Sequence, residues 1–238
     1  MVKVFDLGFM LTAIPDVLKY LPVTILISFG SSLIGLVVAF IVALIRYFEV
    51  PVLSPLCKLY ISFIRGTPTL VQLFIVYYGI PIVLVAANQR FGTNINVSGL
   101  PKIIYVLFAF ALNTGAYMSE TIRSAITSVD AGQWEACYSL NMNTRQAVTR
   151  IVIPQALTVA LPSLGNSWIS VMKDTSLAFS IGLVELLSAA RLIGARASRY
   201  LEVYIDAALM YWGVCIVMEI VLSLLEKRMR KYEGRIGA

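Results

Sequence analysis

The stretch "GQWEACYSLNMNTRQAVTRIVIPQA", residues 132–156, is a long polar segment between two apolar regions. Its reading decides how the chain is organised. Asp130 stands just before it as a helix N-cap, with Gln133 three residues on as the partner of a capping box. The helix that begins there runs to about Leu140. Asn141 tolerates the left-handed conformation that closes a helix. Asn143 then caps a second helix, again with an amide, Gln146, three residues later, and Pro154 marks the return of the chain. The segment therefore reads as helix, turn and helix, not as a loose linker. Trp134 and Tyr138 share a face of the first helix, extended by Cys137 and Leu140. Two readings of that face stand open: aromatics seated in the headgroup layer, or a surface that docks a partner.

On both sides of this segment the chain is apolar. Of 238 residues, 59% are hydrophobic and 13% charged, and mean hydropathy is +0.83. A soluble domain carries roughly a quarter charged residues, so the composition is that of an integral membrane protein. The net charge of +6 does not point to nucleic acid, because the basic residues gather at the ends of apolar runs. The first residues, "MVKVFDLGFMLTAIPDVLKY", lack the pattern of a cleaved signal and read as a short amphipathic segment. Cys57, Cys137 and Cys215 are few and far apart, which predicts free thiols. With no histidine, a metal site is not expected.

A membrane helix needs about 20 largely apolar residues. Five runs qualify, at about 21–45, 57–87, 102–126, 156–182 and 203–225, with Pro68 and Pro81 allowing kinks in the second. The expected fold is thus an all-α integral membrane protein, one domain over 1–238, with the polar loop 130–154 between spans three and four. Five spans put the termini on opposite sides. Placing the C-terminus inside gathers Arg46, Lys58, Arg65, Arg123, Arg145, Arg150, Lys227, Arg228, Arg230, Lys231 and Arg235 there. Lys3, Lys19, Arg90, Lys102, Arg191, Arg196 and Arg199 are left outside. The positive-inside rule favours this arrangement: N-terminus outside, C-terminus and polar loop cytoplasmic.

The residues of that loop carry a resemblance. "EACYSLNMNTRQAVTRIVIPQA" is similar to the EAA loop of the membrane subunits of ABC importers: Glu135 and Ala136 match, Cys137 replaces an alanine, Asn141 replaces a glycine, and Ile153-Pro154 matches the end. "FIRGTPTLVQLFIVYYGIP" (63–81), "AYMSETIRSAI" (116–126) and "ALPSLGNSWISVMKDTSLAFSIGLVEL" (160–186) resemble the polar amino acid group of these permeases. The resemblance implies that the loop is a cytoplasmic coupling helix, with Gln133, Glu135, Ala136, Cys137 and Asn141 at the contact with an ATPase. It further implies a second permease subunit, two ATPase subunits, an extracytoplasmic amino acid-binding protein, and a bacterial plasma or inner membrane. ATP and Mg would be used by the ATPase; no cofactor is expected on this chain.

Ionisable residues within a span are costly and point to function. Lys173 and Asp174, in "SVMKDTSLAF", either neutralise each other or serve a pathway. In the second case Asp174, Thr175 and Ser176 would offer an acid and two hydroxyls to a zwitterion. Pro162, Gly165 and Asn166 suggest a distorted helix just before them. Asn113, Thr114 and Tyr117 add polar positions on span three, with interhelical hydrogen bonding as the alternative. Gln72 is a candidate for the pathway, with packing and topology as the alternative; Glu120 and Arg123 read as an interfacial ion pair, and Glu185 as part of an outer gate or loop. Asp206 and Glu219 are buried-acid candidates. The set Gly30, Ser31, Ser32 and Gly35 reads as close helix packing. No phosphate-binding glycine-rich lysine motif is present, so the chain is expected not to be an enzyme itself. Two functions remain: the permease subunit of an ATP-driven importer of polar amino acids or cystine, or a structural membrane scaffold. A self-contained secondary transporter fits less well, because no internal repeat is visible.

Overall fold

A computed structural model describes residues 5–97 and 99–236, with side chains described as far as residue 229; Lys3 lies outside these residues. They form α1 (Leu7–Leu18), α2 (Leu21–Tyr47), α3 (Leu53–Gly66), α4 (Thr69–Phe91) and α5 (Lys102–Thr127). The polar loop holds α6 (Ala131–Ser139) and α7 (Thr144–Ala147). A π-helical turn (Val148–Val152) leads into α8 (Ile153–Asp174). A 3₁₀ segment (Thr175–Ile181), α9 (Leu186–Ala197) and α10 (Tyr200–Ile236) follow. No strand occurs among the described residues.

Five segments are long and apolar enough to cross a membrane: α2, α4, α5, the α7–3₁₀ stretch and α10. The shortest, the 23 residues of α4, spans about 35 Å at 1.5 Å per residue, against a hydrocarbon core of about 30 Å. The run expected as one span over 57–87 is instead two helices. Thr67 and Pro68 are extended, because a residue before proline is pushed out of the α region, and the chain breaks there. Pro81 and Pro162, by contrast, lie inside helices that continue through them. The distortion expected around Gly165 is therefore not a break. The irregular backbone lies at the two ends of α8, in the π turn and the 3₁₀ segment.

α5 is the centre of the bundle. It packs along α2 and also meets α3, α4 and α8, and its buried residues occupy most of its circumference. In lipid there is little hydrophobic drive between helices, so close approach through small residues must hold such a pair. Gly35 supplies it: a Cβ there would lie 3.0 Å from the Ala111 carbonyl oxygen and from Thr114 Cβ. Ser31 and Ser32, like Gly35, are buried in α2, consistent with the packing role expected for this set. Gly165 does the same for α8 against α10, where a Cβ would meet Leu222 at 2.7 Å.

Among the apolar clusters that bind the helices, three span the length of the bundle and its periphery. Ile27, Leu73, Tyr105, Val106 and Phe110 join α2, α4 and α5 at one end. Ala39, Met118, Ile122, Val152 and Ala156 join α2, α5 and α8 at the other. Val17, Leu186, Ala190 and Val203 tie α1 and α9 to α10. The outer faces of α4 and α10 are exposed and apolar, carrying Ile82, Val83, Trp212 and Val217, as expected of surfaces that meet lipid or another membrane subunit.

Candidate functional site

The N-terminal end of α4, the middle of α5 and the C-terminal half of α8 enclose a polar cavity of about 250 Å³. Thr69, Asn113, Thr114, Tyr117, Ser167, Ser170, Val171 and Asp174 line it. Asp174 is its only carboxylate among the described residues and stands in the last turn of α8. Across the cavity, Thr114 is 2% exposed, and its hydroxyl has no hydrogen-bond partner among the described residues. An unsatisfied hydroxyl of that burial costs free energy unless something else pairs with it. Asn113 is held in place: its Nδ2 donates to Gln72 Oε1 at 2.9 Å and to Thr69 Oγ1 at 3.4 Å. One negative charge opposite a set of amides and hydroxyls suits a molecule with a cationic end and an acceptor-rich end.

Asn113, Thr114, Tyr117 and Asp174 are thus brought together, and the other residues proposed for the pathway are not. Gln72 does not face the cavity. Its Nε2 donates to the Ile64 carbonyl at 2.7 Å, the Thr67 carbonyl at 3.0 Å and Thr67 Oγ1 at 2.9 Å, stitching the break between α3 and α4. Thr175 is fully buried and donates to the Met172 carbonyl at 2.7 Å, and Ser176 donates to the Lys173 carbonyl at 2.9 Å. Both hydroxyls serve the 3₁₀ segment. Lys173 and Asn166 are exposed and lie off the cavity wall. Thr69, Ser167 and Ser170 were missed. The signal for the serines was present: Ser163, Ser167, Ser170 and Asp174 recur at helical spacing and share one face of α8.

Glu185 and Glu120 hold the structure together. Glu185, expected at a gate or loop, is fully buried as the N-cap of α9. Its carboxylate accepts from Ser188 N at 2.8 Å, Leu187 N at 3.0 Å and Tyr211 Oη at 2.7 Å. Glu120 pairs with Arg123 at 3.3 Å and with Arg46 of α2, fixing α2 to α5. Asp206 is buried, whereas Glu219 is exposed on α10.

In the polar loop, Asp130 accepts from Gly132 N at 2.7 Å, so the first helix is capped. The capping box expected with Gln133 does not form, because Gln133 Oε1 accepts from Gln155 Nε2 of α8 at 3.3 Å. The second box is complete: Asn143 accepts from Gln146 N at 2.9 Å, and Gln146 accepts from Asn143 N at 3.0 Å. Asn141 has φ +56°, the left-handed joint. Trp134 stacks on Tyr47 at 6.4 Å between ring centroids and packs on the cluster of Ile126 and Val152. Gln133, Glu135, Ala136, Tyr138 and Leu140 are exposed. Cys137 is buried, so it faces the bundle and is separated from the face that carries Glu135. Leu140, at 76% exposure, does not share the buried face either.

Five apolar spans, a capped polar loop anchored to two of them and a polar cavity inside the bundle define a multi-pass membrane permease. The chain belongs to the family described as binding-protein-dependent transport system inner membrane component, which matches residues 31–231. It is 41% identical over 236 residues, 99% of its length and 96% of the relative's, to an L-cystine transport system permease protein of Bacillus subtilis (strain 168). It is 40% identical to a probable amino-acid ABC transporter permease protein of Vibrio harveyi, covering 95% of this chain and 97% of that one. Among solved structures, an amino acid ABC transporter with histidines superposes with a TM-score of 0.79 at 34% identity, over 94% of this chain and 98% of the other. The membrane subunit of an inward-facing methionine ABC transporter shares the fold at 14% identity, with a TM-score of 0.68. The chain is a membrane-spanning permease subunit of an ATP-binding-cassette importer.

Proposed function

We propose that this chain carries a polar amino acid or cystine inward by alternating access, and that the cavity between α4, α5 and α8 holds the substrate in passage. The observation that carries this reading is one cavity lined by both Asp174 and the buried Thr114 hydroxyl, which has no hydrogen-bond partner among the described residues. Asp174 receives the α-ammonium group. Thr114, Asn113 and the serines of α8 face the carboxylate and polar side chain. The relatives' names support an amino acid and, twice over, cystine.

The partners follow the same reading. Two ATPase subunits, which use ATP and Mg, dock on the loops of two permease subunits, identical or not, and an extracytoplasmic binding protein delivers the substrate. Glu135, Ala136 and Gln133 form the docking face, with Cys137 packing the helix against the bundle from behind. The N-terminus lies outside and the C-terminus in the cytoplasm, so that the loop meets the ATPase.

The test is ATP-driven uptake of cystine and other polar amino acids by the complete complex in proteoliposomes. Asp174→Asn removes a charge-assisted hydrogen bond worth about 1.5–3 kcal/mol, so KM for uptake rises by about 10- to 100-fold. Lys173→Gln, off the cavity wall, leaves KM unchanged. Equal effects of the two substitutions would remove the cavity from the pathway.

A further inference from the structure

A second polar cavity, of about 550 Å³, lies on two of the helices that line the first, α5 and α8. Glu120, Ser124, Ser128 and Ser163 are on its walls, with Arg65 from the last turn of α3. Its α5 residues continue the stripe begun by Asn113 and Tyr117 toward the C-terminal end of that helix, and Ser163 continues the α8 stripe below Ser167. The two cavities are therefore successive stations on one face. Tyr117 lines the first and Arg65 the second, and the Arg65 guanidinium carbon sits 5.6 Å from the centre of the Tyr117 ring. That is a cation–π contact between a wall residue of the second cavity and a wall residue of the first.

We propose that the Arg65–Tyr117 pair is the inner gate between these cavities, and that it opens to a carboxylate. This rests on the reading of the first cavity as the substrate site. Charge at the gate makes it selective. Glu120 is already engaged by Arg46 and Arg123, and Arg65 makes no salt bridge among the described residues. Its fork is thus available to a carboxylate arriving from the first cavity, and a bidentate pair with that anion replaces the weaker contact with the ring. Arg65 stands in the last turn of α3, where the Gln72 clamp holds the Ile64 and Thr67 backbone, so the gate moves by its exposed side chain and not by the helix.

The gate is tested by thiol accessibility, which needs no known substrate. The full complex is assembled with Cys57, Cys137 and Cys215 replaced by alanine. A single reporter is placed at Ser170 (Ser170→Cys, first cavity) or Ser124 (Ser124→Cys, second cavity). Inside-out vesicles without nucleotide are treated with a membrane-impermeant charged maleimide. With the pair intact, Ser170→Cys reacts about two- to fivefold more slowly than Ser124→Cys, the ratio expected of an exposed cation–π contact. Arg65→Gln or Tyr117→Ala brings the two rates together, whereas Tyr117→Phe, which keeps the ring face, preserves the protection. Equal rates with the pair intact, or protection that survives both Arg65→Gln and Tyr117→Ala, overturns the gate. Uptake by the unmodified complex is measured alongside, so failure of the gate is distinguished from failure of the substrate assignment.

Discussion

Asp174 and Thr175 are neighbours with opposite orientations. Asp174 ends α8 and faces the cavity; Thr175 begins the 3₁₀ segment and turns back to the Met172 carbonyl, beside Tyr211. Acid and hydroxyls were readable in the sequence as a group, but their directions were not. The rotation per residue changes from about 100° to about 120° where the helix tightens, and helical spacing no longer says which side chains share a face. Thr175→Val should lower the thermal stability of the detergent-solubilised protein by about 0.5–1.5 kcal/mol through the lost hydrogen bond, and leave the KM for uptake unchanged. Gln72 offers a sharper contrast with its expected role. Gln72→Leu strips the Ile64 and Thr67 carbonyls of their Gln72 donor, each at about 1–3 kcal/mol where it stays unsatisfied, and leaves the Asn113 amide only its longer bond to Thr69. A drop in unfolding temperature together with a raised KM is expected, since Asn113 loses its anchor. An unchanged unfolding temperature would contradict the clamp.

Among the elements, the polar loop was the most legible and the second span the least. Local chemistry made the loop readable: Asn143 with Gln146 and the left-handed Asn141 depend on residues close in sequence. The first capping box was misread because Gln133 is claimed by Gln155, 22 residues on, and no local rule reports that. Asn141→Gly should keep the loop and its coupling intact, because glycine adopts φ +56° without penalty. Asn141→Val should destabilise the joint by about 1–2 kcal/mol and reduce transport-coupled ATP hydrolysis. Comparing ATPase stimulation in the two variants checks this. In the second span, Pro68 was seen, but hydropathy alone read it as a kink. The extended Thr67 and the clamp by Gln72 turn the kink into a break that frames the cavity with Thr69.

At the scale of the whole molecule, composition and five apolar runs were enough for the class, because a bilayer permits few spanning architectures. The cavity was only partly legible. It is assembled from three helices, and the presence of Asp174 and Thr114 on one cavity wall depends on how α5 and α8 are rotated against each other. The central claim is that this chain supplies the path while a separate ATPase, engaged through Glu135 and its neighbours, supplies the energy. Glu135→Lys reverses a charge on the exposed face proposed to dock the ATPase and should abolish both uptake and substrate-stimulated ATP hydrolysis while leaving membrane insertion intact. The most direct measurement is uptake of labelled cystine and other polar amino acids into proteoliposomes holding the permease with or without its ATPase, in the presence of the binding protein. Accumulation against a gradient only when the ATPase and ATP are both present is the predicted result. Accumulation by the permease without the ATPase would contradict it.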